Sequence, residues 1–400
     1  MTHSKIIVLP GEEARLKRKV RAHFKRLGFL KAKDGTLLPP DLDKQRYRDM
    51  HAHQRQSRFD ANRGWITSRA SQLIQCFASG AGLEVERINP RIEVVQAGTW
   101  QSELFRLATY YWRIPISDGY GRRMRFLVWD DHHKKLMGLF ALGDAVFNLR
   151  ARDTFIGWDH HRRGEALVNL MDAYALGAVP PYNMLLGGKL IASLIRTRDV
   201  VDTFQAKYHD SIGVISGKNK HAQLVAVTTS SALGRSSLYN RLRIGGLSIF
   251  DSIGSTSGWG HFHISDDLFN DLRNYLKSKG DPYADAHKYG QGPNYRLRLI
   301  RKALGLIGLD PDMARHGLTR EVFFSSLADN ALPFLRGEHK RVRYGNLPTV
   351  QQMGQAALAR WVIPRAERKP EFRLWRSENF LRELDGVDAH TTATRVKRVG

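Results

Sequence analysis

Residues 124–147, MRFLVWDDHHKKLMGLFALGDAVF, contain two apolar runs joined by a short polar segment. The runs Met124–Trp129 and Leu136–Phe147 are typical of β-strands. The segment Asp-Asp-His-His-Lys between them favours a hairpin turn. A two-stranded hairpin is only marginally stable by itself in water, so the pair predicts a larger sheet.

The segments around this hairpin alternate between strand and helix patterns. A strand pattern at 91–96 and a helix pattern at 101–112 precede it. After it come a strand at 166–179, a helix at 183–196, a strand at 224–229, a short helix at 236–243 and a strand at 247–253. This β-α-β-β-β-α-β-α-β order predicts a domain of the α/β (α+β) class with a mixed sheet.

Helical patterns flank this domain. Leu16, Val20 and Phe24 recur at helix spacing, and the residues between them are mostly Lys and Arg. Such a pattern predicts an amphipathic helix with a cationic exposed face. The domains that we expect are a basic helical N-terminal region (1–80), the central α/β domain (81–264) and a basic, mainly helical C-terminal region (265–400).

The charge is strongly positive and unevenly distributed. The chain has 63 Lys and Arg against 39 Asp and Glu, a net charge of +24. Residues 1–70 carry +10 and residues 291–400 carry +9, which leaves only +5 for the middle. Cationic segments at both ends favour binding of a nucleic acid, expected to be DNA, because neutralising phosphates releases condensed counterions. A merely solvated surface, an acidic protein partner and a membrane surface are the alternatives.

Arginines with nearby aromatic residues are typical of surfaces that hold single strands, since guanidinium groups bind phosphates and aromatic rings stack on bases. The alternative is that the tryptophans anchor the core. The residues predicted to contact nucleic acid are Arg15, Lys19, Arg26, Arg122, Arg152, Trp158, Arg162, Lys189, Trp259, Arg296, Arg298 and Arg301.

The remaining whole-chain features exclude several classes of protein. A single cysteine, Cys76, allows no intrachain disulfide and no cysteine-based zinc site. No apolar run reaches the length of about 18 residues that a membrane span needs. The N-terminus lacks the apolar region of a signal peptide. We therefore expect a cytoplasmic protein with no membrane partner.

Three blocks of sequence resemble the DruA family of the Druantia anti-phage defence operons. They are Gly138–Trp158 with its Ile-Gly-Trp end, Leu233–Arg241 followed by Ile253–Gly260, and Gly292–Arg296 followed by Arg315-His316-Gly317. The resemblance implies a component of a multi-protein phage defence system that works with other operon products, including a large helicase-like protein. It implies no known reaction and no known cofactor, and the stretch Asn169–Leu176 departs from the family's Asn-rich pattern.

The order of elements in the central domain also resembles the GNAT acyltransferase fold. The resemblance implies that a splayed strand ending at Val179 receives a pantetheine arm, and that the helix start at Asn183, Gly187 and Gly188 holds a pyrophosphate through its free N–H groups. It places Tyr239 as a general acid. The usual Arg/Gln-x-x-Gly-x-Gly pattern is missing, and the alternative is that the glycines only pack helix on strand.

Two patterns indicate a metal-dependent nuclease instead. His261 and His263 are two residues apart in a strand-like segment, and with Tyr275 they resemble the site of HUH endonucleases. The second pattern is a carboxylate cluster suited to Mg²⁺, in which Asp144 is the catalytic candidate. Its members are Asp130, Asp131, Asp144 and Asp172. Alternatively, the first two belong to a hairpin turn, and Asp144 pairs with Arg150 or Arg152.

These patterns leave three functions open: a DNA-binding component of a defence system, an acyltransferase that acts on nucleic acid or protein, and a metal-dependent nuclease. Whether the protein is an enzyme is left undecided by the sequence.

Overall fold

The protein is described by a computed structural model over residues 11–31, 37–38, 44–116, 121–213, 217, 219–258, 261, 263–285, 293–314 and 317–384. The chain divides into two compact units, each made of two segments. Unit 1 consists of Met1–Ser57 and Thr256–Arg320, and unit 2 consists of Arg58–Ser255 and Glu321–Gly400. These bounds differ from the predicted domains, because the segment after residue 320 returns to the sheet of unit 2.

The helices are, in chain order, α1 (Glu12–Arg26), α2 (Lys44–Asp60), α3 (Arg63–Leu73), α4 (Trp100–Thr109), α5 (Arg150–Ile156), α6 (His160–Ala166), α7 (Gly187–Leu194), α8 (Arg198–Tyr208), α9 (Asp266–Ser278), α10 (Pro293–Leu306), α11 (Ala331–Arg336), α12 (Val350–Ala357), α13 (Ile363–Arg368) and α14 (Asn379–Leu384). The strands are β1 (Leu30–Lys31), β2 (Leu37–Leu38), β3 (Pro90–Val94), β4 (Arg123–Asp130), β5 (Lys135–Asp144), β6 (Leu170–Ala178), β7 (Ala226–Ser230), β8 (Arg243–Ile244), β9 (Leu247–Ser248), β10 (Asp251–Ser255) and β11 (Glu321–Ser326). A π-helical turn at Leu358–Val362 joins α12 to α13.

Unit 2 is built on a seven-stranded sheet with the order β3-β4-β5-β6-β7-β11-β10. The pair β6 and β7 is parallel, and the other neighbouring pairs are antiparallel. The hairpin β4–β5 places Phe126 opposite Phe140, as the two apolar runs predict. The predicted α/β class with a mixed sheet is therefore confirmed.

Strand β11 lies in the interior of this sheet, although its sequence, EVFFSS, comes from the region predicted to be mainly helical. It pairs with β10 on one side and with β7 on the other, where Phe323 lies opposite Thr229. A six-residue segment without strict alternation carries little strand signal of its own. Its conformation is set by the two strands that it joins.

The sheet is covered on both faces, which explains why β4 and β5 are almost continuously apolar. Along β4, Phe126 belongs to the core that contains Leu190 of α7 and Phe204 of α8. The next residue, Leu127, belongs to the core that contains Leu104 of α4. Successive side chains of a strand point to opposite faces, so both faces carry apolar residues.

Unit 1 is mainly helical in its described part. In α1, Leu16, Val20 and Phe24 are buried, and most of the Lys and Arg residues between them are exposed. The predicted amphipathic helix is therefore confirmed. Helices α9 and α10 supply further buried residues, such as Leu272 and Leu299. None of the helices described in either unit has both the length and the apolar character needed to cross a membrane.

Candidate functional site

The parallel strands β6 and β7 separate after a short paired segment. Their register ends at Asp172 and Thr228, although both strands continue. The Thr229 hydroxyl donates a hydrogen bond to the Ala173 carbonyl over 2.9 Å, just beyond the last pair. We call the diverging segments 173–178 and 229–231 the fork. The point where neighbouring strands of a sheet stop pairing is a place where α/β proteins bind ligands.

The start of α7 lies at the β6 side of the fork and contains the predicted cofactor-binding glycines. Val179 is fully buried, and its N–H donates to the Met137 carbonyl over 2.9 Å. A Cβ on Gly187 would lie 2.5 Å from the Tyr182 carbonyl oxygen, so only glycine fits there. A Cβ on Gly188 would meet Leu238 at 3.3 Å, a tolerable contact with a flexible side chain.

Tyr239 and Asn183 lie on the two sides of this region. The Tyr239 ring packs against Phe250 and Phe323, with ring centroids 5.2 and 5.0 Å apart. Burial raises the pKa of Tyr239 to about 12, and its hydrogen bond with Thr229 places the hydroxyl at the fork. The hydroxyl therefore carries its proton at neutral pH. Asn183 has a buried Oδ1 with no hydrogen-bond partner in the described part of the chain.

Three cations gather beside the start of α7. The ammonium of Lys189 lies 5.3 Å from the centroid of the ring of Trp361, a residue of the π-helical turn. Burial first, and then the positive charges of Arg241 and Arg360, lower the pKa of Lys189. No described carboxylate forms a salt bridge with any of the three. The sequence predicted Lys189 alone, because Arg241 and Arg360 are distant along the chain and carry no local signal.

The four carboxylates predicted to hold Mg²⁺ do not form one group. Asp144 forms a salt bridge with Arg122, with Nε and Oδ1 2.8 Å apart, so its partner is neither Arg150 nor Arg152. Asp172 accepts hydrogen bonds from the Thr228 hydroxyl and from the Val146 N–H, and burial raises its pKa.

Asp130 is fully buried in the hairpin turn, where it accepts hydrogen bonds from Tyr182 and His133. Asp131 instead pairs with Arg91 and Lys134. Each carboxylate has its own partners, and among the described residues the four do not form one set of metal ligands. The catalytic role of Asp144 stays a prediction.

Both histidines of the nuclease alternative lie in packed surroundings. His263 is 2% exposed, and its ring stacks on Phe29. Burial lowers the pKa of His261 to about 4, with a further contribution from Arg296. The Tyr275 hydroxyl donates to Glu13 instead of facing the histidines. Neither histidine belongs to a set of three ligands among the described residues, so the predicted metal site is not formed there.

Most of the central residues predicted to bind nucleic acid are bonded inside unit 2. Arg152 is fully buried beside Asp153. Arg122 is bonded to Asp144, and Arg162 donates to the Leu335 and Phe334 carbonyls at the end of α11. The Trp158 indole donates to the same Leu335 carbonyl over 2.8 Å, which makes this tryptophan a core anchor. The guanidinium and indole N–H groups of these four residues thus already have partners inside unit 2, and their contact with nucleic acid stays a prediction. Trp259 lies outside the described residues.

The cations predicted in unit 1 fall into two classes. Arg15, Arg26 and Arg298 are exposed and form no salt bridge with a described carboxylate. The other three are paired with aspartates: Lys19 with Asp271, Arg296 with Asp266 at 2.9 Å, and Arg301 with Asp312 at 3.2 Å.

Comparison with known proteins identifies the family. Residues 41–337 match the family model described as Druantia protein DruA. A Druantia protein DruA from Escherichia coli (strain UMEA 4076-1) is 50% identical over 375 residues, which cover 94% of this chain and 93% of that relative. The chain belongs to the DruA family. No solved structure matches it.

Membership of the DruA family confirms the coarse functional prediction, a component of Druantia anti-phage defence. The Ile-Gly-Trp block that carries the resemblance to DruA has a structural role here. Gly157 ends α5 with a φ of 84°, a left-handed conformation that favours glycine. Its neighbours Ile156 and Trp158 are buried in one core with Leu335. In this DruA protein the block therefore joins α5 to α11.

Proposed function

We propose that this DruA family protein binds DNA through the cationic face of α1 and acts in anti-phage defence together with other Druantia proteins. The observation that carries the proposal is the charge of unit 1. Its 122 residues hold 24 Lys and Arg against 13 Asp and Glu, a net charge of +11. The 278 residues of unit 2 carry +13, so the charge density of unit 1 is about twice as high.

The exposed face of α1 supports this proposal because its cations are available. Five exposed residues form no salt bridge with a described carboxylate: Arg15, Arg18, Arg21, Lys25 and Arg26. At about 1.5 Å per residue they span about 16 Å of helix, enough to contact several phosphates of one strand. Lys19 contributes less, because its ammonium already pairs with Asp271.

The test is binding of the purified protein to fluorescent single- and double-stranded oligonucleotides at several salt concentrations. The variant R15Q/R18Q/R21Q is expected to bind about 10- to 100-fold more weakly near 0.1 M salt. Its slope of log affinity against log salt is expected to fall by about 2–3, since each lost phosphate contact removes about 0.9.

The matched control, K340Q/R341Q/R368Q, removes three exposed positive charges from unit 2. It should keep affinity within about threefold, because long-range charge effects between exposed groups are screened. Equal losses in the two variants would mean that DNA is held by net charge alone. Absence of binding to either oligonucleotide near 50 mM salt would refute the proposal and favour an acidic protein partner.

A second candidate function, a GNAT-like acyltransferase, is supported by the fork. The parallel strands diverge where a pantetheine arm is expected, and Tyr239 offers a protonated hydroxyl beside Thr229. Next to the first turn of α7 lies a cluster of three cations, Lys189, Arg241 and Arg360, that form no salt bridge with a described carboxylate. Clustered cations at a helix start suit a pyrophosphate, so the residues present fit coenzyme A. When bound, that cofactor would supply an activated acyl group.

We expect acetyl coenzyme A to bind the full chain with one site in calorimetry. R241Q/R360Q should weaken this binding by about tenfold or more, because each charge-assisted contact contributes about 1.5–3 kcal/mol. The control R243Q changes an exposed arginine two residues away and should leave the affinity unchanged. Y239F should keep binding but lose phage protection. No heat of binding at millimolar cofactor, or equal effects of R243Q and R241Q/R360Q, would exclude this function.

A further inference from the structure

Two sets of three side chains in the described residues have ligand atoms close enough to hold one metal ion. They are Glu84 with His132 and His133, and His209 with Asp210 and His221. Within each set the ligand atoms lie within 4.8 Å of one another. The sets differ in whether those atoms already have hydrogen-bond partners.

The first set is occupied by the protein's own hydrogen bonds. The Nε2 atom of His133 accepts the Glu84 backbone N–H over 3.0 Å. Its Nδ1 atom lies 2.5 Å from Oδ2 of the buried Asp130. Both ring nitrogens of His133 are therefore used in holding the β4–β5 turn, and a metal ion would have to break one of these bonds.

The second set has ligand atoms that the described protein does not use. The Nδ1 atom of His209 is buried and has no hydrogen-bond partner in the described residues. Its Nε2 atom lies 3.9 Å from Oδ1 of Asp210, and the rings of His209 and His221 are 5.6 Å apart. Of the nearby lysines, Lys207 is held by the Arg123 carbonyl and Lys220 by the Gly164 carbonyl.

We propose that His209, Asp210 and His221 bind one Zn²⁺ ion in unit 2. Two imidazoles and one carboxylate are ligands that zinc prefers, and a water molecule completes a four-coordinate site. Tetrahedral zinc–ligand bonds of about 2.0–2.2 Å require ligand atoms about 3.3–3.6 Å apart. The ligand atoms now lie within 4.8 Å of one another. The side chain of Asp210 is 85% exposed and that of His209 is 42% exposed, so their rotation can bring the ligand atoms to the shorter distance that zinc requires.

The ion would link two segments that precede the fork. His209 directly follows α8, and His221 lies in the segment that enters β7, where Gln223 and Val225 are held by Asn169. The backbone of His221 has a φ of 45°, a left-handed conformation in which asparagine, aspartate and histidine are the non-glycine residues found most often. Because its ligands come from both segments, a zinc ion would fix the end of α8 to the segment before β7 and stabilise the folded state.

The test is a titration of the full, chelator-treated chain with ZnCl₂ in competition with a chromogenic chelator. The wild type is expected to bind one equivalent, with a rise in Tm. H209A and H221N should each weaken binding by at least about tenfold, while the Tm without metal stays the same. Asparagine at position 221 tolerates the left-handed backbone, so H221N keeps the fold.

The control H132A changes the other histidine set and should leave zinc binding unchanged. The proposal is overturned if no stoichiometric binding occurs. It is also overturned if H209A and H221N bind zinc like the wild type, or if H132A alone abolishes binding.

Discussion

Replacing Arg152 by Met is expected to lower the free energy of unfolding of unit 2 by about 3–5 kcal/mol. The guanidinium of Arg152 is fully buried and donates to Oδ1 of Asp153 and to the Val146 and Phe147 carbonyls. Methionine fills similar space but leaves these acceptors without a donor. Among the described residues, Asp153 then keeps only Arg163, at 2.9 Å, to balance its charge. The measurement is the midpoint of urea unfolding with the m-value held constant.

The matched control is R150M, two residues away in α5. Arg150 is exposed, and this change should cost less than about 0.5 kcal/mol. If R152M were as stable as R150M but bound DNA more weakly, the prediction that Arg152 contacts DNA would be supported. A stability loss in R152M alone supports a structural role.

Replacing Gly187 by Ala is expected to destabilise unit 2 by about 1–3 kcal/mol, whereas the same change at Gly188 is expected to be neutral or stabilising by up to about 1 kcal/mol. The Cβ at position 187 would lie 2.5 Å from the Tyr182 carbonyl oxygen and 3.1 Å from the Cβ of Ala178. Both neighbours belong to the backbone or to a short side chain, so they cannot rotate away.

At position 188 the nearest atom is the Cδ1 of Leu238 at 3.3 Å, the end of a flexible side chain. Alanine also favours the helical backbone of α7. Thermal and urea unfolding of the two single variants, measured side by side, check the pair. Equal stability of G187A and G188A would contradict the close approach of α7 to the Tyr182 segment.

Local sequence patterns predicted much of the secondary structure of the sheet unit. The hairpin β4–β5 follows from two apolar runs around a polar turn, and the strand before Pro180 ends at Ala178. Strand β11 was missed, because Glu321–Ser326 becomes a strand through pairing with β7 and β10, which lie far away in sequence. The GNAT-like identity of this sheet remains a prediction.

Site residues were harder to predict, since charge shows only that a residue is cationic and not what surrounds it. In the sequence, nothing distinguishes Arg152 and Arg162 from Arg15. In the structure, however, backbone carbonyl groups of other segments accept hydrogen bonds from the guanidinium groups of Arg152 and Arg162. No sequence pattern predicted the cluster of Lys189 with Arg241 and Arg360, because its three residues come from segments that are far apart along the chain.

The sequence by itself determined the family, the apolar strands and the amphipathic cationic helix α1, because each depends on residues that are neighbours along the chain. Only the tertiary structure decided that Trp158 is a core anchor, that Asp144 pairs with Arg122, and that His209 faces His221. The physical reason is that burial and pairing depend on contacts between distant segments. The local preference of a residue for helix or strand does not depend on such contacts and therefore cannot predict them.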